Sequence, residues 1–246
     1  MNKFIIDIGN SNTKIYSLDN KSFMSFENCD LVGIEKYFKE IGDCEVYISY
    51  VNSKPLNYIK SLLSSSKCSM RIFDKHQMME FIKKNEQYKI DNIDILGADL
   101  FADIISGSGF IDEIIIDLGT ATKILVINRK NEFLGATIFP GLKTCLKALN
   151  SSAEKIELHD LKIPDRLISL KTDECVNSGA IYGTAIMIEE YVKLIIKERE
   201  LNNVRIVLTG GFSSLIDSAY NKLAVSKWYE IDSLRTIKGI KRGFGL

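Results

Sequence analysis

The feature that most constrains how this chain folds is a motif it carries twice. Asp7-Ile8-Gly9-Asn10-Ser11-Asn12-Thr13-Lys14 and Asp117-Leu118-Gly119-Thr120-Ala121-Thr122-Lys123 share the order aspartate, apolar residue, glycine, polar residues, and they start 110 positions apart. Each follows an apolar run, Phe4 to Ile6 in one case and the three isoleucines within Glu113 to Asp117 in the other, and each is followed by an isoleucine directly after the lysine. An apolar run, a polar bend with glycine and a second alternating run make a β-hairpin. Two such hairpins, each opening a half of the chain, predict two related α/β lobes that face each other. Ser106-Gly107-Ser108-Gly109 is the expected joint, with lobes over residues 1–108 and 109–246.

The remaining pattern fits alternating strands and helices. In the first half, strands are expected at 14–18, 22–26, 46–51 and 70–73, and helices at 31–41, 56–63 and 75–84, with Pro55 at a first helical turn. In the second half, strands are expected at 123–128, 133–139 and 204–208. Helices are expected from Pro140-Gly141 to Leu149, over Ala180 to Glu198, and after Thr209-Gly210-Gly211.

Composition narrows the function classes. Of 246 residues 46% are hydrophobic, ample for a core. Lys plus Arg and Asp plus Glu are 32 each, and this zero balance argues against a nucleic-acid-binding surface while leaving room for a local phosphate site. No apolar run reaches the roughly 18 residues a membrane helix needs, and the apolar stretch before Gly9 is short for a signal peptide. Cys29, Cys44, Cys68, Cys145 and Cys175 are scattered, so neither a disulfide scaffold nor a zinc ribbon is expected and a reducing cytoplasm is the default. His76, His159 and the Lys83-Lys84 pair read as solvated or capping groups, and Trp228 and the cysteines as packing residues.

A turn of small residues lets backbone N–H groups approach phosphate oxygens, and an aspartate at the adjoining strand end can hold a cation against them. Two such turns can clamp a nucleotide's phosphate chain. Thr209-Gly210-Gly211, at a helix start, suits the close approach of adenosine. The G-x-x-x-x-G-K-[ST] and G-x-G-x-x-G patterns are absent, so a nucleotide site here belongs to neither of those types. The bland readings stand beside these: ordinary hairpin bends, Asp99 as a surface helix carboxylate, and Thr172 as a helix cap with Glu174 in the first turn.

Taken in order, these pieces resemble type III pantothenate kinase, and the resemblance runs over almost the whole chain. Asp7 to Lys14 is similar to the family's first phosphate loop and Asp117 to Thr122 to its second. Gly97-Ala98-Asp99 is similar to the family's G-x-D-R substrate motif. Further matches are Leu134-Gly135-Ala136, Pro140-Gly141-Leu142 with Ala148-Leu149, Thr172 followed by Ser178 to Gly183, and Thr209-Gly210-Gly211. The resemblance implies two actin-like (ribonuclease H-like) lobes related by duplication with an ATP cleft between them, and a cytoplasmic homodimer that phosphorylates pantothenate. It implies ATP contacts from Asp7, Ile8, Gly9, Asn10, Ser11, Asn12, Thr13, Lys14 and Thr120. It implies pantothenate contacts from Gly97, Ala98, Asp99, Leu100 and Thr172, with Asp99 as general base. Mg²⁺ is implied alongside ATP, and Asp117 is implied to hold a monovalent cation, potassium or ammonium.

Two positions depart from the family pattern. Its motif arginine is Leu100 here, and its substrate tyrosine falls on Ile90, with Tyr88 two places away. They keep open an alternative on the same fold: a non-catalytic nucleotide-binding relative, or a kinase of another small molecule.

Overall fold

A computed structural model describes residues 2–64, 67–107, 109–153 and 160–246. His159 and Ser108 of the expected joint lie outside the described residues. The chain forms two compact units, Met1–Gly107 with Leu234–Leu246, and Ser108–Ser233.

The first unit is built on a five-stranded sheet of β1 (Asn2–Ile8), β2 (Asn12–Ser17), β3 (Phe23–Glu27), β4 (Cys44–Tyr50) and β5 (Ser69–Ile72), in the order β3-β2-β1-β4-β5. β1 pairs antiparallel with β2 and parallel with β4. Helices α1 (Leu31–Ile41), α2 (Ser53–Ser64), α3 (Lys75–Lys84) and α4 (Ala98–Ile105) complete its first 107 residues. Ile5 and Ile6 point to opposite faces of β1, yet both are fully buried, because helices cover both sides of the sheet. One face packs Ile6, Ile8, Ile15, Val46 and Ile48 against Ile34, Leu56 and Ile59.

The second unit repeats the plan with β6 (Glu113–Leu118), β7 (Ala121–Ile127), β8 (Phe133–Pro140), β9 (Arg205–Thr209) and β10 (Glu230–Ile231). Read from β8, its order is β8-β7-β6-β9-β10, the same sequence of neighbours as β3-β2-β1-β4-β5. The duplication expected from the two hairpins therefore extends to the whole sheet. Helices α5 (Leu142–Ser152), α6 (Thr172–Glu198) and α7 (Ser213–Lys222) belong to this unit. Ile181, Ala185, Ile188 and Val192 of α6 pack on the sheet's Ile114, Ile116 and Ile124. α6 starts at Thr172, earlier than Ala180, and runs through Gly179 and Gly183.

The C-terminal helix α8 (Arg235–Phe244) differs from expectation, because it packs in the first unit although it follows the second. Its apolar side, Ile237, Ile240 and Phe244, is buried, and Phe244 stacks near Tyr47 and Phe73. The Arg235 Nε–H donates to the Asp103 carbonyl at 2.9 Å, and the Thr236 hydroxyl donates to Asp103 Oδ1 at 2.8 Å. The N-terminal half is thus closed by the last thirteen residues, rather than ending at 108.

Cys44 and Cys68 form a disulfide, so these two are not simple packing residues. The register explains the pairing: Glu45 lies opposite Ser69 in the parallel β4–β5 pair, which puts the preceding residues side by side. Cys29, Cys145 and Cys175 are free and exposed.

Candidate active site

The first hairpin bend spans Gly9 to Ser11. β1 and β2 pair from Phe4–Ser17 to Ile8–Thr13, and the Gly9 N–H closes the bend on the Asn12 carbonyl at 2.9 Å. Asp7, one pair before the end of the ladder, is 5% exposed and lies 3.7 Å from the Lys14 ammonium across the hairpin. The bend is held from behind by Asn28, the residue after β3. Its backbone N–H donates to the Ser11 carbonyl at 2.8 Å. Its carboxamide donates to the carbonyls of Gly9 at 2.9 Å and Asn10 at 3.0 Å, and its Oδ1 accepts from the Thr13 hydroxyl at 2.8 Å.

The second bend is one residue shorter. The Gly119 N–H closes on the Ala121 carbonyl at 3.1 Å. Asp117 faces Lys123 across the hairpin, with Nζ 2.9 Å from Oδ2. The Thr120 carbonyl accepts from the Gly141 N–H at 3.1 Å and from the Thr144 hydroxyl at 2.7 Å, so α5 sits directly on the bend. A Cβ on Gly141 would lie 2.3 Å from the Gly119 carbonyl oxygen, closer than any real contact. Gly210, at φ +86°, is equally constrained: a Cβ there would lie 2.6 Å from Asp117 Oδ1 and from Leu118 backbone atoms. The Thr209-Gly210-Gly211 turn therefore packs on the second bend, and the Phe212 N–H donates to the Leu118 carbonyl at 3.0 Å.

Asp99 lies in the first turn of α4, with Gly97 as N-cap. The positive end of a helix favours a carboxylate at this position. The side chain folds back so closely that a Cβ on Gly97 would lie 2.5 Å from Asp99 Oδ1. Ala98 and Leu100 flank it, half-buried. Tyr88, 4% exposed, packs its ring on Phe81 and beneath the Arg242 guanidinium, and Ile90 is also buried. Neither presents a side chain to solvent.

Thr172 is the first residue of α6 and is exposed; Lys171, not Thr172, is the N-cap. Glu174 accepts from the Ser169 hydroxyl at 2.6 Å and from Lys171 Nζ at 2.9 Å. These two donors, the hydroxyl first, hold its carboxyl below the ordinary 4.5. The structure thus assigns Asp7 to Lys14 and Gly97 to Leu100 to the first unit, and Asp117, Thr120 and Thr172 to the second. Sequence reasoning missed Asn28, Thr144 and the pairing of each strand-end aspartate with the lysine opposite.

Among the described residues no three His, Cys, Asp or Glu side chains converge into a metal cage. Each bend offers a single carboxylate with an ammonium beside it. That donor set fits Mg²⁺ carried on substrate phosphates, which keeps most of its waters and takes one or two carboxylates. At the second bend Lys123 Nζ donates to Asp117 Oδ2, and Gly210 packs beside Oδ1. No described helix is long and apolar enough to cross a membrane.

Comparison with known proteins agrees with this layout. Solved structures align over nearly the whole chain at low identity. The archaeal actin homolog Ta0583 shares 12% identity at a TM-score of 0.52, over 100% of this chain and 99% of that one. The ethanolamine utilization protein EutJ from Carboxydothermus hydrogenoformans shares 13% at 0.50, over 98% and 89%. The fold is actin-like. A type III pantothenate kinase from Pelagibacter ubique (strain HTCC1062) is 32% identical over a 252-residue alignment covering 96% of both chains. One from Acholeplasma laidlawii (strain PG-8A) is 36% identical over 129 residues, 52% of this chain and 51% of that one. The family model for type III pantothenate kinase matches residues 3–194, which include both bends, the Asp99 motif and Thr172. This chain therefore belongs to the type III pantothenate kinase family.

Proposed function

We propose that this protein transfers the γ-phosphoryl group of ATP to the primary hydroxyl of pantothenate, giving 4'-phosphopantothenate at the entry to coenzyme A synthesis. The observation that carries the reading is the pair of braced bends, each with a strand-end aspartate, in a chain that also keeps Asp99 at a helix start. Phosphoryl transfer needs positioning and charge neutralisation more than covalent help. Asp7 to Lys14 and Thr120 bind ATP, with N–H groups of the bends on phosphate oxygens. Mg²⁺, when bound with ATP, neutralises phosphate charge. Gly97 to Leu100 and Thr172 bind pantothenate, and Asp99 accepts the proton of the hydroxyl as the new P–O bond forms and the bond to the ADP oxygen breaks.

Asp117 Oδ1 holds a monovalent cation, potassium or ammonium, and Lys123 supplies part of the positive charge at that carboxylate. Lys123→Met should therefore steepen the dependence of turnover on K⁺; an unchanged K⁺ titration places the cation elsewhere.

The protein acts as a homodimer in the cytoplasm, where ATP is abundant and where a reducing poise acts on the Cys44–Cys68 pair. Support for the dimer comes from α6. Its inner residues fill the core, while Ile186 and Leu194 are 48% and 61% exposed on its other side. Gly179 and Gly183 have open space where a Cβ would stand, and such a flat stripe allows close helix approach. Sedimentation of wild type against Leu194→Glu tests this; a wild-type monomer removes it.

The function is tested by ADP release with pantothenate, acetate or a hexose as acceptor. Release specific to pantothenate supports the reading. Release with another acceptor alone, or with none, overturns it in favour of a relative with a different substrate or no kinase activity.

A further inference from the structure

We propose that Asn28 is a positioning residue for ATP: it sets the orientation of the peptide groups in the first bend. In a trans peptide the C=O of one residue and the N–H of the next point to opposite sides. Asn28 captures three consecutive carbonyls, those of Gly9 and Asn10 with its carboxamide and that of Ser11 with its backbone N–H. The N–H groups of Asn10, Ser11 and Asn12 are thereby turned away from Asn28, toward the opposite side of the bend. Successive N–H groups presented together form an anion-binding concavity, and carbonyls withdrawn from it no longer repel phosphate oxygens. The two carbonyls can only accept, so they fix Nδ2 as the end of the carboxamide that faces them, and the Thr13 hydroxyl donates to the Oδ1 on the other side.

The loop residues themselves belong to the proposed ATP site; Asn28 lies outside it and acts through them. The inference rests on the ATP-binding part of the proposed function and not on the identity of the acceptor. The equilibrium affinity for Mg-ATP, titrated without pantothenate, is therefore the primary readout. Asn28→Ala removes both side-chain donors, and Asn28→Asp keeps the shape and the Thr13 partner but puts a carboxylate against two carbonyls. Each variant should weaken ATP binding about 10- to 100-fold, as expected for losing hydrogen bonds that pre-order a site. The Asn28→Asp loss should be the larger. The KM for pantothenate should stay within about twofold and the melting temperature within a few degrees.

Unchanged ATP affinity in Asn28→Ala overturns the inference. So does a fall of ATP affinity and melting temperature together with a rise in the KM for pantothenate, the pattern of a general structural role. If Asn28→Ala fails to fold, Asn28→Asp decides: normal ATP affinity there overturns the inference. A wild type that binds ATP but does not phosphorylate pantothenate sinks the functional reading and leaves this one standing on its affinities. A wild type that binds no ATP sinks both.

Discussion

In the first unit Asn28 follows β3, and in the second Gly141 follows β8. The two are equivalent by strand register, since Asn12 lies opposite Glu27 and Ala121 opposite Pro140. Both donate the same backbone hydrogen bond to the bend, Asn28 to Ser11 and Gly141 to Thr120. From there the units diverge. α5 starts at Leu142, directly after Gly141, so the helix lies on the bend and Thr144 adds its hydroxyl to the same carbonyl. α1 starts only at Leu31, which leaves room for a side chain at 28, and the carboxamide does what the helix does in the other unit. One bend is held by a side chain that a single substitution deletes. The other is held by backbone, tolerates loss of one hydroxyl, and does not tolerate a Cβ.

The units also differ in what they add to the repeated sheet, and the largest expected effect tests that asymmetry. Only the first unit carries α4, so the proposed general base belongs to that unit. Asp99→Asn should lower kcat by about 10²- to 10⁴-fold, the usual loss for a general base, while ATP affinity stays near wild type. A variant retaining most of its kcat removes Asp99 from the mechanism.

Next in size is Leu100→Arg, also confined to the first unit. A hydrogen bond to a charged group contributes about 1.5–3 kcal/mol, so restoring the family's arginine should raise kcat/KM for pantothenate on the order of 10- to 150-fold. Strong wild-type activity that falls in this variant would mean that another cation already fills the role and that half-buried Leu100 simply packs.

Gly141→Ala breaks the brace in the second unit. Its Cβ would meet two carbonyl oxygens of the bend at 2.3 and 2.5 Å, so α5 or the bend must shift, at a cost of about 1–3 kcal/mol in stability. ATP affinity should fall with it, whereas Thr144→Val should cost about 0.5–1.5 kcal/mol. Denaturant unfolding read beside ATP titration separates the two units: Asn28→Ala changes affinity with little change in stability, and Gly141→Ala changes both.

How much of this was legible beforehand follows the same contrast. The hairpins could be read because Asp-apolar-Gly bends between alternating runs are local signals. α8 could not, although Ile237, Ile240 and Phe244 have helical spacing. Gly239 and Gly243 break up the pattern, and they are there because a Cβ would strike the Ala102 backbone or the Phe73 ring. Gly179, just ahead of the expected start at Ala180, hid the first two turns of α6. Asn28 sits in Glu27-Asn28-Cys29-Asp30, which reads as an ordinary turn. Its role depends on the register of β3 against β2, and register is set by packing across the sheet. Tyr88 and Ile90 are both buried, which no local pattern in the sequence shows.

The smallest effect concerns the loop before Thr172. Glu174 ties Ser169 and Lys171 to the start of α6, and its carboxyl is held below 4.5 by the Ser169 hydroxyl and then the Lys171 ammonium. A lowered folded value means the tie is complete above about pH 4.5 and lost as pH falls through the lowered value. Hydrogen exchange at residues 169–172 should speed up only below that window. Equal speeding in Glu174→Gln and wild type would mean that Glu174 is not the group responsible.

Under the proposed function, one phosphoryl transfer depends on both bends and on Asp99. Phosphorus NMR of a reaction containing enzyme, Mg-ATP, K⁺ and pantothenate tests it most directly. The expected result is a phosphomonoester signal on pantothenate that grows one for one with ADP and vanishes in Asp99→Asn. ADP and inorganic phosphate without a phosphomonoester, or a signal that survives in Asp99→Asn, would contradict it.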